Sequence, residues 1–268
     1  MKRFLLAVAV ATSALFSGAA SAGAFIFSGT DADDHGFVSG GVNQDGWFFM
    51  QRALESLAAG VTTGNKKVTI LGSTSSSLTA ASSAFNLSSL VGAGWTLETV
   101  STANFGAFFG AGGNLGTGIL MMDSGGNVTG GVSGASFTPH AATINSFLAA
   151  GGSLFSQANG YQWLSGLIPG LLDVDEFETG LSLTAAGSAA FPGLNNGDLS
   201  SGPYHNSFQN IGALSVFATG TRLGTNVIIG SAGGSITNPN PGVPEPASLL
   251  LVGLALTALR LTGARKTI

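Results

Sequence analysis

Apolar residues recur along this chain at two spacings, and the places where one spacing gives way to the other mark out its elements. Trp47, Met50, Leu54 and Leu57 fall three and four residues apart, with Gln51, Arg52 and Glu55 elsewhere on the wheel. That stripe predicts an amphipathic helix, capped by Asn43 or Asp45 and stopped by Gly60 and Gly64. Ala24–Phe27, the β-branched run Lys67–Leu71, Trp95–Val100 and the continuous apolar run Gly118–Asp123 predict strands, the last covered on both faces. Between them a weaker helix is expected from about Leu78 to Val91, and a short helix or packed loop at Phe105–Phe109. Thr138 as cap, Pro139 at the first helical position, an apolar face of Ile144, Phe147 and Leu148, and the terminator Gly151-Gly152 predict a further helix. Ser153–Ser156 then resumes extended structure.

Strand and helix alternating across short connections predict an α/β fold: a single domain with a mainly parallel sheet flanked by helices. Downstream, Tyr161–Leu167 and Thr184–Ala190 read as helices, and Leu214–Ala218 and Asn226–Ile229 as late strands. No repeat of fixed period indicates a solenoid or propeller.

The two ends follow neither spacing. Lys2 and Arg3 precede an apolar run from Phe4 to Phe16, and Ala20-Ser21-Ala22 supplies the small residues that a signal peptidase requires. Residues 1–22 therefore read as a secretory signal peptide, cleaved before Gly23. At the far end a Pro, Asn and Gly-rich linker, residues 231–242, leads to Val243-Pro244-Glu245-Pro246. A charge-free run from Ala247 to Leu259 follows, and then the basic residues Arg260, Arg265 and Lys266. A hydrophobic membrane helix over 247–262 is expected. It is short against the roughly 20 apolar residues that a permanent span needs, which suits transient anchoring. Positive charge at both ends places both in the cytoplasm during export, and the middle outside.

That tripartite end resembles the PEP-CTERM sorting signal of exported bacterial proteins. Pro244, Glu245 and Pro246 match its motif, Ala247–Leu259 its helix, and Arg260, Arg265 and Lys266 its basic stop, a sparser one than the family's usual arginine cluster. The resemblance implies partnership with the secretion machinery and a membrane-embedded exosortase, passage through the inner membrane, and release to the cell envelope or an extracellular polysaccharide matrix. It gives an address without a chemistry.

Composition narrows the chemistry. The chain has no cysteine, which excludes disulfides, thiolate metal sites and cysteine nucleophiles. Between the sorting segments only Arg52, Lys66, Lys67 and Arg222 stand against twelve carboxylates, a field that repels nucleic acid and anionic lipid. Abundant Gly, Ala, Ser, Thr and Asn with 8% charged residues suits a secreted surface protein, whose solubility is carried by hydroxyls and amides.

The stretch Gly118–Ser156 is similar to strand, helix and strand segments of the class I glutamine-amidotransferase-like fold, a flavodoxin-like architecture. The likeness is carried by the strand ending Asp123-Ser124-Gly125-Gly126 and by the run Asn145–Phe155 around its glycine pair. It extends at most over Lys67–Ala218, and the cysteine nucleophile of that family is missing. A fold without its reactive residue does not specify a reaction. Met122-Asp123-Ser124-Gly125-Gly126 also lacks the first glycine of a hydrolase elbow, so Asp123 and Ser124 read as a turn at a strand end. His140 and His205 as bases, with Asp173 or Asp175 as orienting acids, keep a serine hydrolase open, although His205 reads first as a loop histidine. Asp31, Asp33, Asp34 and Gly36 imitate the start of a calcium loop, but His35 and Val42 stand where oxygen ligands belong. Those acids, and the second cluster Asp173, Asp175, Glu176 and Glu178, read as solvated loops, with a cation site as the alternative. Trp47, Trp95, Tyr161 and Trp163 are candidates for stacking on sugars or for the core. No catalytic residue, metal ligand or cofactor is assigned. The expectation is an exported, non-catalytic structural or binding component; the alternative is a secreted serine- or carboxylate-dependent hydrolase of envelope or matrix material.

Overall fold

The helical stripe of Trp47–Leu57 folds as α1, Asp45–Ala58, and buries Phe49, Met50, Ala53, Leu54 and Leu57. Neither expected cap serves it. Gln44 occupies the N-cap without a side-chain bond, because Asn43 turns inward and donates to Gln51 Oε1 at 2.9 Å and to the Ser83 carbonyl at 3.1 Å. The computed structural model describes residues 23–112, 115–123, 130–158 and 160–231, all within one compact unit. The signal peptide 1–22, Ser124, the linker beyond Ser231, the motif Pro244, Glu245 and Pro246, the helix 247–262 and the basic stop Arg260, Arg265 and Lys266 lie outside the described residues. No helix among the described residues is long and apolar enough to cross a membrane.

Five strands form where the apolar runs lie: β1 Phe25–Ser28, β4 Lys67–Leu71, β5 Thr96–Val100, β6 Ile119–Met122 and β7 Ser153–Gln157. They pair in parallel in the order β5-β4-β6-β7-β1, as the mostly parallel centre of a mixed α/β sheet flanked by helices. The connecting helices are α2 Ser75–Asn86 with the single turn α3 Ser89–Gly92, α4 Phe105–Phe109, and α5 Ala141–Ala149.

Side-chain alternation along these strands separates two cores. Ile26, Val68, Ile70, Ile119, Met121 and Phe155 face α1 and α2, and meet Phe49, Met50, Leu54, Ala80 and Phe85. Phe25, Phe27, Leu71, Leu120, Met122 and Leu154 face α4 and α5, and meet Phe105, Phe109, Ile144 and Phe147. β6, Ile119–Met122, is covered on both faces and reads as an unbroken apolar run, whereas β5 at the sheet edge is largely exposed. Each fully buried Phe or Leu contributes on the order of 1.5–3 kcal/mol.

The second half departs from expectation. Tyr161–Leu167 is not a helix and makes only a 3-10 turn at Leu164–Gly166. Its aromatics are drawn into the core instead. Trp163 packs edge-on against Phe27 at 5.7 Å, and the Tyr161 hydroxyl lies 2.7 Å from the Ser28 carbonyl, 2.9 Å from that of Ser156, and accepts the Ser28 N–H at 3.0 Å. The acidic stretch Leu172–Thr179 is strand β8 rather than a loop, and His205 lies on strand β10, Pro203–Gln209. With β9 Leu181–Leu183, β11 Ser215–Gly220 and β12 Asn226–Ser231 they form an antiparallel wing on β1, joined through β12. Two short helices, α6 Ala185–Ala190 and α7 Asn196–Leu199, cover part of it. A small hairpin, β2 Gly36–Ser39 with β3 Val42–Gln44, was not foreseen either.

Candidate functional site

Four parallel strands end at one crevice. The chain leaves β1 and β4 toward the α1/α2 face, and β6 toward the α5 face, so neighbouring strand ends diverge there. In open α/β sheets such a reversal at the carboxyl ends is where ligands bind. Here the place is filled by the chain's own side chains. Asp33 follows β1, Ser73 follows β4, Asp123 follows β6, Gln157 ends β7, and Ser77 lies in the first turn of α2. All five are buried.

Gln157 Nε2 donates to Asp33 Oδ1 at 3.1 Å and to Asp123 Oδ1. The Ser77 hydroxyl donates to Asp33 Oδ2 at 2.8 Å, and the Ser73 hydroxyl to Asp123 Oδ2 at 3.0 Å. The opposite orientation of the amide would set its oxygen against two carboxyls, so this network fixes which end faces them. The amide oxygen, buried and without a hydrogen-bond partner, is what that arrangement leaves over. Burial, and next the neighbouring charge of Asp123, push Asp33 up to about 8, although the Ser77 hydrogen bond opposes the rise. At neutral pH Asp33 therefore keeps its proton beside Asp123.

A second cluster lies where β10 meets the chain after β1. His205 N donates to the Gly29 carbonyl at 2.7 Å, and Thr30 bridges to Tyr204, which brings the His205 ring to Asp31. His205 Nε2 lies 3.1 Å and His35 Nε2 3.4 Å from the same Asp31 oxygen, Oδ2. The Asp31 side chain is 1% exposed, the two imidazoles 20% and 32%. His35 is held over Gly202, where an added Cβ would lie 2.1 Å from the ring. A cavity of about 10 Å³, room for about one water, opens beside it between Asp31, His35, Asp198 and Ser201. An open groove of about 530 Å³ lies elsewhere, between Val38 of the hairpin and Leu78, Thr79, Asn86 and Leu87 around α2, with no ionisable side chain in its wall.

The candidates read from sequence are thus redistributed. Asp31 and Asp33 turn into different clusters, so the loop that imitates a calcium site does not converge. The second acidic group is satisfied within the sheet: Asn206 Nδ2 donates to Asp173 Oδ1 at 2.9 Å and to Asp175 Oδ1 at 3.5 Å, and Glu176 accepts from Ser207 and Thr225. Burial, followed by the charge of Asp175, pushes Asp173 up to about 6. Among the described residues no three His, Asp or Glu side chains are placed to hold a metal ion.

His205 has a carboxylate partner, but it is Asp31 rather than Asp173 or Asp175. His140 instead stacks on Phe109 at 4.3 Å, and burial lowers its pKa. Tyr161 and Trp163 are core residues, 2% and 1% exposed, and Trp47 and Trp95 are half-buried. Among the described residues the most exposed large apolar side chain is Phe177, 73% exposed, with its ring 5.3 Å from that of His205.

No family model, curated protein or solved structure matches the chain. The site therefore has to be interpreted from its own chemistry. Gln157 was absent from the sequence candidates; the strand it ends, Ser153-Leu154-Phe155-Ser156-Gln157, is fully buried yet only two of its five residues are apolar, so nothing local marked the glutamine out.

Proposed function

We propose that this chain is an exported protein with a flavodoxin-like domain. Its PEP-CTERM-type end delivers it through the inner membrane, with exosortase as the processing partner, to the cell envelope or an extracellular polysaccharide matrix. There it acts as a non-catalytic structural or binding component. The observation that carries the second half of this reading is the filled crevice: the place where a fold of this kind admits a substrate holds Asp33, Asp123, Gln157, Ser73 and Ser77 bonded to one another. An enzyme site leaves such groups turned toward a substrate. The acidic balance of the exported part disfavours nucleic acid as a partner.

A secreted hydrolase is the second reading, and the Asp31–His205 pair favours it. A half-exposed imidazole oriented by a buried carboxylate is the arrangement of a general base. Ser124, its sequence candidate for a nucleophile, lies outside the described residues. Both readings meet in one assay: the purified protein against panels of chromogenic esters and glycosides, with retention on neutral polysaccharide beads measured in parallel. Retention without turnover is the expected outcome. Turnover that disappears in His205→Ala and in Ser124→Ala would replace the binding reading with the hydrolase.

A further inference from the structure

Two buried carboxyls at the crevice share one amide. Gln157 gives one hydrogen to Asp33 and the other to Asp123, while the hydroxyls of Ser77 and Ser73 hold the outer oxygens. Among the described residues the basic side chains are engaged elsewhere. Arg52, Lys67 and Arg222 pair with Glu55, Glu98 and Glu178, and Lys66 donates to the Ala93 carbonyl.

The elements around the acids bring little else that titrates. Helix α1 presents Met50 and α2 presents Ser77; in sequence, the six residues that follow Asp123 carry no ionisable side chain. Asp34, next in the chain, adds a charge that further opposes ionisation of Asp33. Asp31, His35 and His205 form their own cluster two residues away and beyond. Neutral donors can satisfy one acid and one carboxylate, but they do not neutralise two anions in a site 0–2% exposed.

We propose that Asp33 and Asp123 form a one-proton latch on this crevice. While they share a proton, the Gln157 amide draws together the ends of β1, β6 and β7 and the first turn of α2. When that proton passes to bulk base, two anions oppose each other across the Gln157 amide, and these ends separate without unfolding the rest of the sheet. With Asp33 pushed up to about 8, release falls on the mildly alkaline side of neutrality.

Hydrogen exchange of the full-length chain in chelator, at about pH 6 and about pH 10, brackets that value by roughly two units. After correction for the intrinsic exchange rate, peptides covering 29–36 and 70–78 are expected to lose about tenfold or more in protection at the higher pH, while α5 keeps its own. Asp33→Asn is expected to hold protection at both pH values. Unchanged protection in the wild type, an equal loss in α5, or the same crevice loss in Asp33→Asn would overturn the latch. Should Asp33→Asn fail to fold, infrared spectroscopy of the wild type supplies the answer. The carbonyl stretch of a protonated carboxylic acid, present near pH 7 and gone near pH 10, supports the latch, and its absence at pH 7 refutes it.

Discussion

Replacing Asp33 by asparagine is expected to flatten the pH dependence of stability between about pH 6 and pH 8, so that the variant gains about 3 kcal/mol on the wild type across that window. The sign follows from the direction of the shift. Asp33 titrates at about 8 in the folded chain against an ordinary 3.8, so the folded state retains a proton that the unfolded state has released. Stability from this group is complete below the ordinary value and is lost as pH rises through about 8. The slope is about 1.4 kcal/mol per pH unit for one proton. Asp173, pushed up to about 6, gives a slope of the same sign at lower pH, which is why the interval from 6 to 8 isolates Asp33. Asparagine keeps a donor and an acceptor for Gln157, Ser77 and Asp123 and carries no charge to desolvate. Urea titrations of both proteins at a series of pH values measure the difference; parallel curves would mean that Asp33 ionises freely and that the crevice is not a shared-proton site.

Gly29→Ala is expected to be the most damaging single-methyl change near the site. An added Cβ at position 29 would lie 1.7 Å from the Asn206 carbonyl oxygen, backbone against backbone, so no rotamer can relieve it. Overpacking of this kind costs about 3 kcal/mol, or roughly 6–12 °C in melting temperature for a domain of this size. The damage has a direction. The contact lies where His205 N meets the Gly29 carbonyl, so β10 is pushed off the chain after β1 and His205 is carried away from Asp31. Thermal melting should show the loss, and the His205 imidazole resonances should move while those of His140, packed on Phe109, stay in place. Gly106→Ala, in a short helix where a Cβ meets open space, is the matched control and is expected to be near neutral. Equal melting of the two variants would contradict the close approach of β10 to the chain that follows β1.

The difference between these two regions also explains what could be read from the chain. Strands β4 and β6 were legible because coverage on both faces favours apolar and β-branched residues, which Val68–Leu71 and Ile119–Met122 supply, with Thr69 buried through its hydrogen bond to Thr117. Strand β8 was illegible for the opposite reason. It is an edge strand, and its acids, which protect an edge from pairing with another chain, are depleted in strands generally. A signal was present nonetheless. Leu172, Val174 and Phe177 alternate with acids except at Asp175-Glu176, and there the structure has a bulge, with Glu176 and Phe177 opposite the single residue His205. That bulge is also where Phe177 meets the His205 ring.

The candidate site was legible only in pieces. Asp31, Asp33, Asp123 and His205 each stood out as chemistry-bearing residues, but their groupings depend on contacts across 34 to 174 positions, which no local spacing encodes. Asp31 and Asp33 illustrate this best. Two residues apart, they look like joint ligands, but the chain makes a turn there, closed by Asp34 N–H to the Asp31 carbonyl at 3.0 Å, and the two carboxyls reach different partners. Tyr161–Leu167 failed as a helix through the same long-range effect: the Tyr161 hydroxyl is worth more bound to Ser28 and Ser156 than the local helical preference of its neighbours.

We propose export with processing at both ends, around a domain whose crevice is closed by its own side chains. Intact-mass measurement of the protein recovered from the envelope and medium of its host addresses this most directly. The mature species is expected to begin at Gly23 and to end near Pro244–Pro246, without the stretch carrying Arg260, Arg265 and Lys266. A cytosolic species retaining both Met1 and Ile268 would contradict it.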